Sequence, residues 1–205
     1  MLVTVVSFDA RMLVPSGMRR ASLIDALRAQ QLDSVAEPAR FAGDAWVHGR
    51  TFEEIVQAEW ATHERLQRDP TLLALIALDA EARYARWLRD GAQLPTAPAA
   101  WMRDISRGHA RRVILRADSR RRDVIPFLER WQLHDAFAMI RCADDPPIAA
   151  SMERSSVGRS WEAIRERLDR WRVAPAAVEI AGEDDQSQLI ARRVVVGDHL
   201  PMPED

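Results

Sequence analysis

The sequence predicts an α/β fold: a doubly wound parallel sheet of five strands, interrupted after its first strand by an α-helical insertion. Three observations carry this. Five short runs are β-branched and almost continuously apolar, as strands covered on both faces must be. From residue 98 onward such runs alternate with amphipathic helical patterns. Residues 15–95, in contrast, hold several helical patterns and no convincing strand.

The first expected strand is Leu2–Phe8, the run LVTVVSF, ending in Asp9. No basic flank precedes it in MLVTVVSFDAR, so it reads as a strand and not as a secretory signal. Helices are expected next at Ser22–Gln31, Thr51–Arg68 and Thr71–Asp90. Thr51 followed by Glu54 forms a capping-box pattern, and Pro70-Thr71 separates the second and third helices. Pro95 and Pro98 in LPTAPAA mark a hinge. The expected domains are therefore an α/β core, residues 1–14 and 96–205, and a helical cap, residues 15–95.

Within the core, a helix at Ala99–Ser106 leads to a second strand, Arg112–Ala117, which ends in Asp118-Ser119. The helix Arg120–Trp131 follows, with Val124, Ile125, Phe127, Leu128 and Trp131 on one face. Strand three is Phe137–Cys142, ending in Asp144-Asp145, and helix Gly158–Trp171 packs through Trp161, Ile164, Leu168 and Trp171. Strand four is Val178–Gly182, followed by Glu183-Asp184-Asp185 and a short segment at Asp185–Ala191. Strand five is Arg193–Gly197.

Composition excludes several chemistries. All 29 basic residues are arginine, so a P-loop lysine, a Schiff-base lysine and a Ser-Lys dyad are ruled out. A net charge of −2 gives no field for nucleic acid or an anionic membrane. No apolar run approaches the length of a membrane span. The single cysteine, Cys142, fits a reducing cytoplasm and reads as a buried, inert thiol. The five histidines lack ligand spacing, so zinc is not expected. Arg120-Arg121-Arg122 reads as a solvated surface in preference to an anion-binding rim.

Ligands of doubly wound sheets bind beyond the carboxyl ends of the strands, and here the first four strands all end in acid. Such carboxylates repel one another unless a hard divalent cation sits among them, and magnesium prefers these oxygen ligands. Helix capping is the competing explanation for Asp118-Ser119 and Asp185, but not for Asp9.

These residues resemble the haloacid dehalogenase-like (HAD) superfamily with a helical cap. VVSFDARMLV is similar to that family's first strand and its F-D-x-D-G-T-L; VILRADSRRRDVIPFLERWQLHDAF, IRCADD and VEIAGEDD resemble the second, third and fourth motif regions. The resemblance implies Asp9 as the covalent catalytic nucleophile and, with Glu183 and Asp184, a ligand of Mg2+. It implies Asp118, Ser119, Arg159 and Arg11 as substrate-binding residues for a small anionic molecule.

The departures touch the chemistry itself. Arg11 stands where phosphatases carry an acid/base aspartate, and Ala117 stands where they carry Ser or Thr. The third-motif lysine is missing, with Arg159 the nearest cation, and Glu183 replaces an aspartate. Arg11 is also a candidate counter-ion for Asp9 or Asp184 in place of magnesium. Two readings stay open. One is a catalytically reduced member that binds a ligand, a protein partner or a second copy of itself. The other is an active phosphatase or dehalogenase built on Asp9.

Overall fold

The computed structural model describes residues 2–9, 13, 17–33, 36, 50–60, 69–94, 111–146, 156–174 and 177–181. Four strands are seen among them: β1 Leu2–Ser7, β2 Arg111–Arg116, β3 Met139–Arg141 and β4 Val178–Ala181. Their order is β3-β2-β1-β4, and every pairing is parallel. The strand that carries Asp9 is thus interior, flanked by β2 and β4. The expected fifth strand, 193–197, lies outside the described residues, as do the helices expected at 99–106 and 185–191.

The apolar runs are covered on both faces, as their continuity requires. Val3 and Val5 of β1 join Ile114, Trp161, Ile164, Leu168 and Val178 on one face, beneath the helix Ser156–Arg170. Val6 and Phe8 join Val113 and Leu115 on the opposite face. There they meet helices α1 Met18–Ala29, α2 Phe52–Trp60, α3 Pro70–Asp90 and α4 Arg121–Arg130. The Ser156–Arg170 helix is α5. The helices of the insertion share one apolar cluster with the sheet, so they are anchored on the strand ends they overlie.

Local signals explain two helix starts. Thr51 and Glu54 form the expected capping box: the Thr51 amide donates to Glu54 Oε2 at 2.9 Å, and the Glu54 amide to Thr51 Oγ1 at 3.1 Å. Pro70 opens α3, where a missing N–H costs nothing, and Asp69 caps it by accepting from the Thr71 amide.

The first helix departs from expectation. It begins at Met18, four residues before Ser22, just after Gly17 in a left-handed conformation (φ 78°). Arg19, in its first turn, is only 3% exposed and lies on the same face as Leu23 and Leu27. Strand three, Met139–Arg141, is also shorter than expected: it is entered from the turn His134–Ala136, and ahead of it Ala138 donates its amide to the Val113 carbonyl of β2 at 2.8 Å.

Candidate functional site

The site forms where β1 and β2 end side by side. Asp9 follows β1 directly, and its side chain is wholly buried. Its Oδ1 accepts from the Tyr84 hydroxyl at 2.9 Å and from Ser119 Oγ at 2.5 Å. Its Oδ2 accepts from the Asp118 amide at 2.6 Å. The Arg19 guanidinium stands 3.8 Å from Oδ1. Two strands, the β2–α4 loop and two helices of the insertion thus converge on one carboxylate.

Each partner is itself held. Arg19 donates to the Arg50 carbonyl at 2.6 Å and lies over the rings of Phe52 and Tyr84, 4.6 and 5.5 Å from their centroids. Tyr84 stacks on Trp87 and is raised well above the ordinary tyrosine pKa, chiefly by burial and then by the Asp9 charge. Asp118 is buried and receives a 2.8 Å hydrogen bond from Arg116, which lies over Trp161. Neither Asp118 nor Ser119 caps α4. The residue at that position is Arg120, without a side-chain cap, so the capping explanation fails here.

A cavity of about 370 Å³ adjoins this cluster. Phe52, Ala74, Ala77, Leu78 and Ala85 give its wall an apolar stretch. Arg19, Tyr84, Asp118 and Ser119 border it on the strand side, and Glu53, Glu81, Arg120, Asp123 and Asp144 supply its remaining charge. Asp9 is not among the described wall residues. Burial raises the pKa of Glu81 and of Asp123, each against the pull of nearby arginines. Arg120 pairs with Glu81 across the cavity.

The acid pair at the end of β3 behaves differently. Arg121 grips Asp145 with two hydrogen bonds, at 2.6 and 2.8 Å, and donates to the Ile140 carbonyl. Its amide donates to Asp144 at 2.7 Å. Burial alone would raise Asp145, but hydrogen bonds from Arg121 and the Cys142 amide take its pKa below the ordinary value. All three arginines keep much of their surface in solvent, as expected of a solvated run, while Arg120 pairs with Glu81, Arg121 with Asp145, and Arg122 stands 3.8 Å from Asp123. Cys142 is buried and its thiol is pushed up, first by burial, as expected for an inert thiol.

Of the expected site residues, Asp9, Asp118 and Ser119 come together. Arg159 stands on α5 and is not among the described wall residues. Arg11, Glu183 and Asp184 lie outside the described residues. Arg19 and Tyr84 are the partners of Asp9 that sequence reasoning missed. Tyr84 is the chain's only tyrosine and continues the buried stripe Ile76, Ala80, Tyr84, Leu88, so a hydroxyl on an otherwise apolar helix face was the available signal.

Comparison with solved structures decides the fold. A haloacid dehalogenase-like hydrolase from Bacteroides fragilis superposes with a TM-score of 0.62 at 14% identity, covering 90% of this chain and 80% of that one. The chain has the HAD-like fold. CbbY from Rhodobacter sphaeroides in complex with phosphate gives 0.62 at 14% identity, over 91% and 80% of the two chains. The HAD-hydrolase YfnB from Bacillus subtilis bound to magnesium gives 0.55 at 11%, over 92% and 85%. No family model and no curated protein matches the sequence. No helix among the described residues is long and apolar enough to cross a membrane.

Do the described residues fit magnesium? A carboxylate offers about four lone-pair positions, and donors already take three of those on Asp9. Asp118, the nearest second carboxylate, is committed to Arg116. Among the described residues no group of three or more His, Cys, Asp or Glu side chains is arranged to hold a metal. The described residues do not by themselves make a site for the ion, and the other expected ligands, Glu183 and Asp184, lie outside them.

Proposed function

We propose that this HAD-fold protein binds a small molecule in the cavity beside Asp9 and does not attack it through Asp9. Residues 15–95 serve as a cap over a core of residues 1–14 and 96–205, and the protein works in the cytoplasm. One observation carries the reading. Asp9 is fully buried, holds three hydrogen bonds and is absent from the described cavity wall. A covalent nucleophile must reach its substrate with a free lone pair, and each donor on the carboxylate lowers its nucleophilicity. Tyr84 and Ser119, which border the cavity, both donate to that carboxylate.

The cavity wall supports an organic ligand with an apolar part. Its two described arginines both face carboxylates, Arg19 facing Asp9 and Arg120 facing Glu81. An anion such as the phosphate bound by CbbY would have to draw one of them away. The second reading, an active hydrolase, is favoured by the placement of Asp9 at the end of an interior strand.

Thermal melts with magnesium and beryllofluoride, a phosphate mimic, separate the two. Binding without attack predicts no stabilisation of the parent protein. Stabilisation that disappears in Asp9→Asn would establish the hydrolase. The ligand class is then sought with inorganic phosphate and a panel of aromatic and aliphatic carboxylates, using Ala77→Phe to fill the cavity as the control.

A further inference from the structure

We infer that Arg19 supplies at Asp9, in charge if not in position, what a divalent cation would otherwise supply. This rests on the reading of Asp9 as a buried hub. Two carboxylates and two guanidiniums meet at the ends of β1 and β2: Asp9 with Arg19 at 3.8 Å, and Asp118 with Arg116 at 2.8 Å. All four side chains are 4% exposed or less. These four described charges sum to zero, so the carboxylates of Asp9 and Asp118 are already balanced in a poorly hydrated place.

The geometry is specific to Arg19. Its guanidinium faces Oδ1, while Phe52 and Tyr84 provide the aromatic faces on which a planar delocalised cation rests. Its Nη2 is tied to the Arg50 carbonyl just before α2. One side chain therefore links α1, the start of α2 and α3 to the end of β1. A metal ion would supply charge alone, whereas this arginine also fixes the inserted helices over the sheet.

The expected counter-ion was Arg11, two residues beyond Asp9 in the chain. Arg19 sits on the first turn of α1, where the helix face aims it inward with Leu23. Arg11 lies outside the described residues, and the described arginine at Asp9 comes from the helix.

Manganese electron paramagnetic resonance on the parent protein tests this directly, because bound Mn2+ loses the sharp signal of the free ion. The expected result is an unchanged signal with parent protein in excess. Uptake of Mn2+ by the parent that Asp9→Asn abolishes would overturn the inference. In melts, Arg19→Met should lower Tm by about 10 °C, since it strands a buried carboxylate, and millimolar Mg2+ should restore part of the loss. The double variant Arg19→Met with Asp9→Asn, which removes both charges, should melt above Arg19→Met alone. If it melts no higher, Arg19 acts only by packing on Phe52 and Tyr84, and the inference fails. Hydrolysis of a phosphomonoester by a parent protein that takes up no Mn2+ would sink the binding-only reading while supporting this one.

Discussion

Two acidic strand ends share one edge of the sheet, with β2 between them, and the sequence makes them look alike. Asp9 after β1 and Asp145 after β3 each stand near arginine, yet they are built for opposite conditions. Asp9 is sealed, with its hydrogen bonds arriving from neutral hydroxyl and amide donors and its charge balanced by an arginine stacked between rings. Asp145 is gripped by the forked guanidinium of Arg121, which is 45% exposed. A buried carboxylate must have every lone pair answered, because water cannot do it; one near the surface can lean on solvent when its partner leaves. The difference lies in burial, which the insertion imposes by laying α1 and α3 over one strand end and leaving the other open.

The comparison breaks most sharply at Asp9. Asp9→Ala leaves Arg19 buried without its carboxylate and three donors without their acceptor. We expect a loss of about 3–5 kcal/mol in chemical denaturation, or failure to fold. A loss below about 1 kcal/mol would mean that the cluster is hydrated in solution and that its burial does not constrain it.

Asp145→Ala should cost less, about 1–2 kcal/mol. It removes the acceptor of the Cys142 amide, but Arg121 is free to turn into water. High salt should shrink this loss and leave the Asp9→Ala loss nearly unchanged, since only an exposed pair is strongly screened. Equal salt sensitivity at the two sites would erase the distinction drawn between them.

Much of the fold was legible because its signals are local or periodic. The apolar runs, the Thr51–Glu54 box and the apolar faces of α4 and α5 depend on residues a few positions apart. Asp9, Asp118 and Ser119 were legible because parallel strands in one sheet end together. Arg19 and Tyr84 were not. They lie 10 and 75 residues beyond Asp9, and only the packing of α1 and α3 brings them to it. A charged residue at a helix start reads as solvated until its partner is known. The pairings of Arg120 and Arg121 were equally hidden, because their partners Glu81 and Asp145 belong to other elements.

The buried cluster should also announce itself at high pH, where this composition is unusually transparent. With no lysine, one tyrosine and one cysteine, the side chains that titrate between about pH 8 and 12 are Cys142 and Tyr84. Both are raised in the folded protein, chiefly by burial, and Tyr84 further by the charge of Asp9. For an acid whose folded pKa lies above its unfolded one, the unfolded chain releases its proton first. Its contribution to stability is full below the unfolded pKa and is lost as pH rises toward the folded one. Stability should therefore start to fall above about pH 8.5 through Cys142 and steepen above about pH 10 through Tyr84, each adding about 1.4 kcal/mol per pH unit at its steepest. Cys142→Ala should remove the first limb and Tyr84→Phe the second. At neutral pH, Tyr84→Phe should cost only about 1 kcal/mol, because Asp9 keeps its bonds from Ser119 and the Asp118 amide. The near-ultraviolet band of tyrosinate gives an independent reading: in native protein it should stay absent until the chain unfolds. A Tyr84 that titrates in the native state near its ordinary value would show that its hydroxyl faces water and that Asp9 is open to the cavity.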